Sequence, residues 1–377
     1  MVKDHPGIVF FSGGTALAGL SGRLADVNPE CSYIITTFDS GGSSAELRKT
    51  FDMPAVGDIR SRLISLANCD SPERSEIVRL LAYRFPKYAD KEALNGELYH
   101  LANGTHPLME NISEVVCKIL SNHFARFLEL SDSRFDPAYA CLGNIILATG
   151  YMIHKGVLAP PIAQFSRLIR ARGVVRAASM DSGHLAVRLL NGEVIAGQHL
   201  FTGKEAPPVS SPIDGMWACS GVEDPWPRSV HASSLAMMLI KEADLIVYPM
   251  GSFYSSILAS LIPRGMGQAI SRNHSQKIFI PNMGHDPELF GHDVPLQVEK
   301  LLEILRMDNA VEITGESVLS TVLIDSKNGN YEGGLSLEAL QKLPLKIIDR
   351  KLVSAKSGPL IDPDLLAPVL MEIAQNS

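Results

Sequence analysis

The chain has 377 residues, of which 46% are hydrophobic and 20% are charged, and its formal net charge at pH 7 is −7. This composition is typical of a globular protein and excludes disordered, collagen-like and coiled-coil classes. A chain of this length buries about three quarters of the surface that it exposes when unfolded. Because nucleic-acid-binding proteins need a basic face for the phosphates, the negative charge predicts no nucleic-acid partner.

The cysteines and the apolar segments indicate the compartment. Five cysteines lie far apart without a Cys-x-x-Cys pair, which suits a reducing cytoplasm and disfavours a cysteine zinc site. The apolar run at residues 8–11 is too short for the core of a signal peptide. No stretch approaches the roughly 20 apolar residues that a membrane span requires. We therefore expect a cytoplasmic protein without a membrane partner.

Four short apolar runs predict strands of a parallel sheet. They are GIVFF at residues 7–11, SYIITTF at 32–38, LIVYP at 245–249 and KIFIP at 277–281. Continuous Val, Ile and Phe runs are typical of parallel strands that are covered on both faces. Each run is followed by small polar residues, and ligands of open α/β sheets bind beyond the carboxyl ends of the strands. We therefore expect an α/β fold in which four loops line one crevice.

Two segments depart from this strand pattern. Residues 71–130 show apolar groups at helical spacing and no strand signal, which predicts a helical insertion. Residues 176–201 alternate and contain Asn191-Gly192, a dipeptide typical of hairpin turns. A small β appendage is therefore predicted there.

The first loop is Gly13-Gly14-Thr15, and it has only part of a phosphate-loop pattern. Gly14 and Gly19 have Walker A spacing, but Leu20 stands where the lysine would be, and no Gly-x-Gly-x-x-Gly is present. A helix that began near Thr15 would direct free N–H groups at an anion. A ligand site and a structural turn are both open interpretations of this loop.

The second loop lies in TTFDSGGSSAELR, residues 36–48, and carries the stronger signal. Gly41 and Gly42 allow an anion nest of N–H groups, Ser43 and Ser44 add hydroxyl donors, and the following helix adds its positive end. A carboxylate at Asp39 would repel a phosphate unless a divalent cation lies between them, or unless it binds a sugar or an attacking hydroxyl. We predict that Asp39 is a metal ligand or a base. The alternative is that Asp39 only caps the loop.

Further candidates lie at predicted helix starts. Arg48 and Arg60 could balance phosphate charge, although most surface arginines are only solvated. Asp58 could contribute to the site or serve as a helix N-cap. Gly143 and Asn144 precede an apolar helix, where Asn144 could contact a base or a metal-bound water. The alternative is close packing of that helix against the sheet.

The loops after the last two apolar runs complete the predicted set. After residues 245–249, the segment GSFYSS offers several candidates at another helix start, although serines there are usually caps: Gly251, Ser252, Tyr254, Ser255 and Ser256. The residues His285, Asp286, His292 and Asp293 fit no standard zinc spacing, and we interpret their segment as a loop packed over the crevice.

The order of these motifs resembles that of the 2-phospho-L-lactate transferase and gluconeogenesis factor family over residues 7–302. The motifs are GGT (13–15), T-x-x-D-x-GGSS-x-x-LR (36–48), GDIR (57–60), GN-x-x-L (143–147), ADLIV…GS-x-Y-x-S (243–255) and N-M (282–283). The resemblance implies a Rossmann-like three-layer α/β/α fold with a mostly parallel sheet. We expect one nucleotide-binding domain over residues 1–310, with residues 311–377, which the resemblance does not cover, as a C-terminal extension of the same domain.

The resemblance also implies a ligand. One branch of the family transfers a phospholactyl-type group from a guanosine-diphosphate-linked donor to a deazaflavin alcohol and uses Mg²⁺, whereas the other binds UDP-sugars as a regulator. Asp39 would be the catalytic and metal-binding acid, and the loops of Gly13, Gly41 and Gly251 would surround phosphates, with Asn282 nearby. The family likeness further implies a homodimer.

Several positions depart from the family pattern. Ala16 and Ala45 replace glycines, Ser40 replaces the second of two paired acids, and Pro249-Met250-Gly251 replaces Gly-Pro-Gly. Two functions follow: an Mg²⁺-dependent transferase that acts on a nucleotide-diphosphate-linked substrate, or a non-catalytic regulator that binds a nucleotide sugar. The retained Asp39 favours the transferase, and Ser40 favours the regulator.

Overall fold

A computed structural model describes residues 5–132 and 134–376 and divides the chain into two compact units. The sheet unit contains the residues up to Phe38 and those from Gly173 onward, and the helical unit is Asp39–Arg172. The strands are β1 (Ile8–Ser12), β2 (Cys31–Ile35), β3 (Val174–Ala177), β4 (His184–Leu189), β5 (Val194–Ala196), β6 (Ile213–Cys219), β7 (Leu245–Tyr248), β8 (Gln276–Phe279), β9 (Thr321–Ile324) and β10 (Lys346–Asp349).

Helices occur in both units. Those of the described residues are α1 (Ala18–Val27), α2 (Gly42–Phe51), α3 (Gly57–Ser65), α4 (Pro72–Ala82), α5 (Lys91–Ala102), α6 (Glu114–Leu130), α7 (Leu142–Ile153), α8 (Ala159–Leu168), α9 (Gln198–Phe201), α10 (Ser234–Glu242), α11 (Ala259–Leu261), α12 (Met266–Arg272), α13 (Val294–Leu305), α14 (Gly315–Val318), α15 (Leu337–Leu340) and α16 (Pro363–Gln375). A π-helical turn spans Phe253–Leu258, and 3₁₀ turns span Pro107–Met109 and Pro287–Leu289.

The main sheet has seven strands in the order β10-β9-β8-β7-β1-β2-β3. All neighbouring pairs are parallel, and Ile8 of β1 lies opposite both Cys31 and Leu245. The strand order changes direction between β1 and β7, which makes their carboxyl ends the topological switch point of the sheet. The predicted α/β fold with a mostly parallel sheet is confirmed, and the four predicted runs form β1, β2, β7 and β8.

The side chains of the central strands explain why those runs are continuously apolar. All residues of β1, β2 and β7 are buried, so both faces of the sheet are covered. Phe10 stacks on Tyr33 with ring centroids 5.4 Å apart, and Phe11 stacks on Tyr248 at 5.6 Å. Aromatic contacts between neighbouring strands therefore contribute to the core directly beneath the switch point.

A second, antiparallel sheet has the order β5-β4-β6. The turn between β4 and β5 contains Asn191-Gly192, and the φ of Gly192 is +90°, as the hairpin pattern predicts. The predicted hairpin is therefore confirmed. The sequence pattern did not predict that β3 belongs to the main sheet or that β6 extends the small one.

The helical unit is organised around α7. Most of its residues are buried, from Leu142 to Gly150 without interruption, because the helix is apolar on all sides. The predicted helical segment, residues 71–130, comprises α4, α5 and α6. Phe127 of α6 contacts Phe51 and Phe135 with centroids 5.8 Å and 5.0 Å apart. These contacts join the end of α6 to α2 and to the segment that precedes α7.

Residues 311–377 contribute to the sheet unit. They contain β9 and β10, which extend the main sheet beyond β8, and α16. Helix α16 packs against α1, where a Cβ added to Gly19 would lie 3.1 Å from Pro363. Arg23 pairs with Asp364 at 2.8 Å in the same contact. Residues 311–377 thus form part of the sheet unit through two strands and a helix.

Two buried carboxyl groups accept hydrogen bonds from the start of the π-helical turn after β7. Asp286 accepts a hydrogen bond from the backbone N–H of Phe253 at 2.9 Å. Glu288 accepts from the N–H groups of Tyr254 and Ser255 at 2.9 Å and 2.8 Å. Glu288 is only 1% exposed, and this burial, together with the charge of Asp286, raises its pKa to about 8.

We predict that Glu288 makes the stability of the protein decrease as the pH rises. The folded state holds the Glu288 proton up to about pH 8, whereas the unfolded chain releases it near its ordinary value of 4.5. Stability from this group is therefore full below pH 4.5 and is lost towards pH 8, by roughly 2 kcal/mol between pH 6 and pH 8. Glu288→Gln removes this slope, measured as the melting temperature at pH 6, 7, 8 and 9.

The exposed Glu303, in the same unit, supplies the matched control. Glu303→Gln should leave the slope as in the wild type, since the Glu303 side chain is 62% exposed and stays in contact with water. An unchanged slope in Glu288→Gln would contradict the assignment.

Candidate functional site

Asp39 begins the helical unit and closes the loop that leads into α2. Its Oδ2 accepts a hydrogen bond from the Ser44 hydroxyl at 2.7 Å, and its Oδ1 accepts from the Gly41 N–H at 3.1 Å. The Arg48 guanidinium donates to the backbone carbonyl of Asp39 at 2.9 Å. A carboxylate offers about four acceptor positions, and these bonds use two of them. Asp39 therefore caps the loop and also keeps acceptor capacity for a ligand.

Ser43 links α2 to the start of α7. Its hydroxyl oxygen accepts from the Cys141 N–H at 3.0 Å and from the Asn144 side-chain amide at 3.2 Å. The Arg60 Nε in turn donates to the Asn144 Oδ1 at 3.3 Å. Asn144 is 1% exposed, so this chain of polar groups runs through the interior of the helical unit. The structure thus brings together the predicted residues of α2, α3 and α7.

Two glycines permit the close approach of these helices. A Cβ added to Gly57 would lie 2.6 Å from the Ser44 Oγ and 3.0 Å from the Asp39 Oδ2. A Cβ added to Gly143 would lie 2.4 Å from the Leu81 carbonyl oxygen. The absence of a side chain at Gly143 therefore allows α7 to pack closely against α4. Gly57 was missed as a site residue, because the GDIR motif does not show that Ser44 and Asp39 lie next to it in the fold.

Asp58 lies in the first turn of α3, where its charge is favourable to the helix dipole. The N-cap of that helix is Val56, so Asp58 is not an N-cap. Gly42 is exposed and has a φ of +50°, a conformation that glycine adopts without strain. This conformation lets the backbone turn into α2 directly after Gly41.

In the sheet unit, the loops after β1 and β7 lie close to each other. Gly13, Gly14 and Thr15 follow β1, and a Cβ added to Gly251 would lie 3.5 Å from the Ala16 Cβ. Gly251 has a φ of +144°, which L side chains rarely adopt. Helix α1 begins at Ala18, three residues later than predicted, since Thr15 to Leu17 form a turn. These two loops lie at the switch point of the sheet.

In the predicted loop after β7, the side chains of Tyr254 and Ser255 are buried. The Tyr254 hydroxyl donates to the Ile213 carbonyl at 3.0 Å and lies 2.8 Å from the His292 Nε2. The Ser255 hydroxyl donates to Glu288. Ser252 and Ser256 are half-buried, as is Asn282, whose amide donates to the Gly284 carbonyl at 3.4 Å. The N–H groups of residues 253–255 are thus satisfied by protein carboxylates.

The acids and histidines after β8 have structural partners. Asp293 caps α13 through the Leu296 N–H at 3.0 Å, and His285 lies 3.0 Å from Glu332. Within residues 5–132 and 134–376, no group of three or more His, Cys, Asp or Glu side chains is placed to hold a metal ion. Across the same residues, no helix has the length and apolar character that a membrane crossing needs.

Comparison with known proteins supports this description. The family model described as 2-phospho-L-lactate transferase CofD matches residues 8–353. The chain is 24% identical to the gluconeogenesis factor of Bacillus subtilis, with 98% of each chain covered. It is also 24% identical to a putative gluconeogenesis factor of Thermotoga maritima, covering 78% of this chain and 74% of that protein.

A solved structure shares the fold. It is a member of the UPF0052 family from Bacillus halodurans, with a TM-score of 0.71, 20% sequence identity, and coverage of 98% of this chain and 99% of that one. The family model covers nearly the whole chain, and the fold and the order of the motifs agree with it. The chain therefore belongs to the 2-phospho-L-lactate transferase CofD family, as the resemblance of its motifs predicted.

Proposed function

We propose that this protein is an Mg²⁺-dependent transferase that acts on a nucleotide-diphosphate-linked substrate. The observation that carries the proposal is the fixed position of the Asp39 carboxylate, which Ser44 and Gly41 hold at the start of α2. The first N–H groups of a helix have no partner within it, and they favour an anion. An acid and an anion-binding helix start side by side suit a phosphate that is bound together with a cation.

The residues around Asp39 fit Mg²⁺ in one particular mode. Mg²⁺ often keeps several waters and binds through one or two carboxylates and the phosphates of the substrate. Among the described residues no three-residue metal cluster occurs, so Asp39 would be the protein's carboxylate ligand and phosphate oxygens would supply others. When bound, Mg²⁺ would neutralise the charge of the phosphates.

The remaining polar groups would position the ligand. Arg60 is held by Asn144, and its guanidinium would balance phosphate charge beside the start of α2. Catalysis of phosphoryl-type transfer rests mainly on such positioning and charge neutralisation. In a second role, Asp39 would accept the proton of the attacking hydroxyl.

A specific observation favours a second candidate, a regulator that binds a nucleotide sugar without turnover. Ser40 is buried and stands where the family pattern has a second acid, which leaves one carboxylate in the loop. Two of the compared relatives carry the name gluconeogenesis factor or putative gluconeogenesis factor.

The proposal also includes a cytoplasmic location and a homodimer. The homodimer is measurable by light scattering.

We predict that Asp39→Asn abolishes transferase turnover while the fold is retained. Asparagine keeps one acceptor for the Ser44 hydroxyl but removes the charge that a cation requires. Donor consumption should decrease at least about 100-fold, or roughly 2.7 kcal/mol of transition-state stabilisation. The thermal shift caused by GDP or a UDP-sugar in the presence of Mg²⁺ should also shrink, since bound ligand stabilises by RT ln(1+[L]/Kd).

The matched control is Asp90→Asn, which changes the N-cap of α5 in the same unit and should leave both readouts unchanged. Unaltered donor consumption in Asp39→Asn would refute the catalytic role. A wild type that a UDP-sugar stabilises but that consumes no donor would select the regulator. If no nucleotide shifts the melting temperature, both functions are excluded.

We also predict that Gly57→Ala weakens nucleotide binding more than it affects folding. The new methyl group would meet the Ser44 Oγ and the Asp39 Oδ2, which must move apart. Because both are ends of small side chains, the displacement is cheap for the fold but misplaces the acid. We expect at least a tenfold higher Kd for GDP with Mg²⁺ by calorimetry.

Gly96→Ala is the matched control, because a Cβ at Gly96 in α5 has no neighbour within 4 Å. It should leave the Kd unchanged and stabilise the helix by about 1 kcal/mol. A Kd for Gly57→Ala equal to that of the wild type would show that the Asp39–Ser44 contact is not needed for binding.

A further inference from the structure

An aromatic side chain with two neighbouring cations lies beside the loop of Gly41 and Gly42. A Cβ added to Gly42 would lie 3.5 Å from the Tyr139 Cε1. The Arg84 guanidinium carbon lies over the Tyr139 ring, 4.4 Å from its centroid, and the Lys87 Nζ is 5.9 Å from the same centroid. Tyr139 is 42% exposed, so part of its surface remains accessible beside the loop.

The backbone presents this ring in an uncommon conformation. Tyr139 has a φ of +62°, and a bulky side chain in this region is an outlier that often marks a functional site. Surrounding bonds hold it there: Arg84 donates to the Tyr139 carbonyl at 2.8 Å, and the Phe85 N–H donates to the Ala140 carbonyl at 2.9 Å. The position of the ring is therefore built into the fold of the helical unit.

The ring is also connected to the polar cluster around Asp39. Two residues after Tyr139, the Cys141 N–H donates to the Ser43 hydroxyl at 3.0 Å. Asn144, one turn further along, bonds the same hydroxyl at 3.2 Å. A ligand whose phosphates bind at the start of α2 would therefore have an aromatic surface and two positive charges next to it.

We propose that Tyr139, flanked by Arg84 and Lys87, stacks on the nucleobase of the bound nucleotide. The inference rests on the proposed nucleotide-binding function and adds a base subsite to it. Every nucleobase has a π-face, and stacking on an aromatic side chain contributes to binding without requiring a particular base. The cations beside the ring attract a negatively charged nucleotide and strengthen the stack.

Tyr88 offers a contrast within the same unit. It is 91% exposed and has the Lys87 Nζ 5.7 Å from its ring centroid, yet a Cβ added to Gly42 would lie within 4 Å of Tyr139 and not of Tyr88. A tyrosine near a lysine is thus not by itself a ligand site here. The assignment of Tyr139 depends on its contact with the loop, its backbone conformation and its connection to Ser43.

The test compares GDP with inorganic pyrophosphate, which has the phosphates but lacks the base. Calorimetric titrations with Mg²⁺ are made on the full chain and on Tyr139→Ala, Tyr139→Phe and Tyr88→Ala. Tyr139→Ala should raise the Kd for GDP roughly tenfold, as expected for the loss of one base stack, and leave that for pyrophosphate within twofold. Tyr139→Phe and Tyr88→Ala should bind GDP as the wild type does.

The outcomes separate the inference from the function on which it rests. An unchanged Kd for GDP in Tyr139→Ala, or an equal loss for GDP and pyrophosphate, would overturn the base subsite while the proposed function stands. A wild type that binds neither ligand would overturn the proposed function itself. Retained pyrophosphate binding also shows that the variant is folded at the phosphate site.

Discussion

The candidate site depends on the close contact between Gly57 and the Asp39–Ser44 hydrogen bond. Without a side chain at Gly57, α3 can approach α2 so closely that a Cβ there would lie 2.6 Å from the Ser44 Oγ. The approach places the Arg60–Asn144–Ser43 chain beside the acid. Because such a network is buried, leaving one of its groups unpaired is costly, so the three helices must keep their positions together. A buried α7 supplies the rigid element that this arrangement requires.

In the sheet unit, acidic side chains of the protein accept hydrogen bonds from N–H groups that could otherwise bind an anion. The N–H groups of Phe253, Tyr254 and Ser255 donate to Asp286 and Glu288, whose carboxyl oxygens occupy the position that a phosphate would take at a helix start. These acidic side chains fix the turn after β7 by hydrogen bonds, without any ligand. The preceding Gly251 loop and the loop of Gly13 lie close to each other at the switch point.

The sequence predicted the parts of the fold that local pattern controls. Continuous apolar runs identified β1, β2, β7 and β8, and Asn191-Gly192 identified the hairpin. The sequence pattern did not identify β9, and it missed β10 because Lys346 and Asp349 leave only two apolar residues in that strand. For the site, the order of motifs indicated Asp39, Ser43, Ser44, Arg60 and Asn144. Ser255 is held in the interior by Glu288, which lies 33 residues further along the chain. Gly42 and Tyr139 lie close together although almost 100 residues separate them in the sequence. Such partners cannot be derived from spacing.

A single carboxylate in the loop has a consequence for how metal and nucleotide would bind. A site with two acids can hold a divalent cation by itself, whereas one acid leaves most of the coordination to water and to phosphate oxygens. Cation and nucleotide would then bind as a linked pair, and each would raise the affinity for the other by the same factor. This linkage is the same for a transferase and for a regulator. The two functions therefore differ in whether an acceptor hydroxyl can reach Asp39, and not in how the phosphates are held.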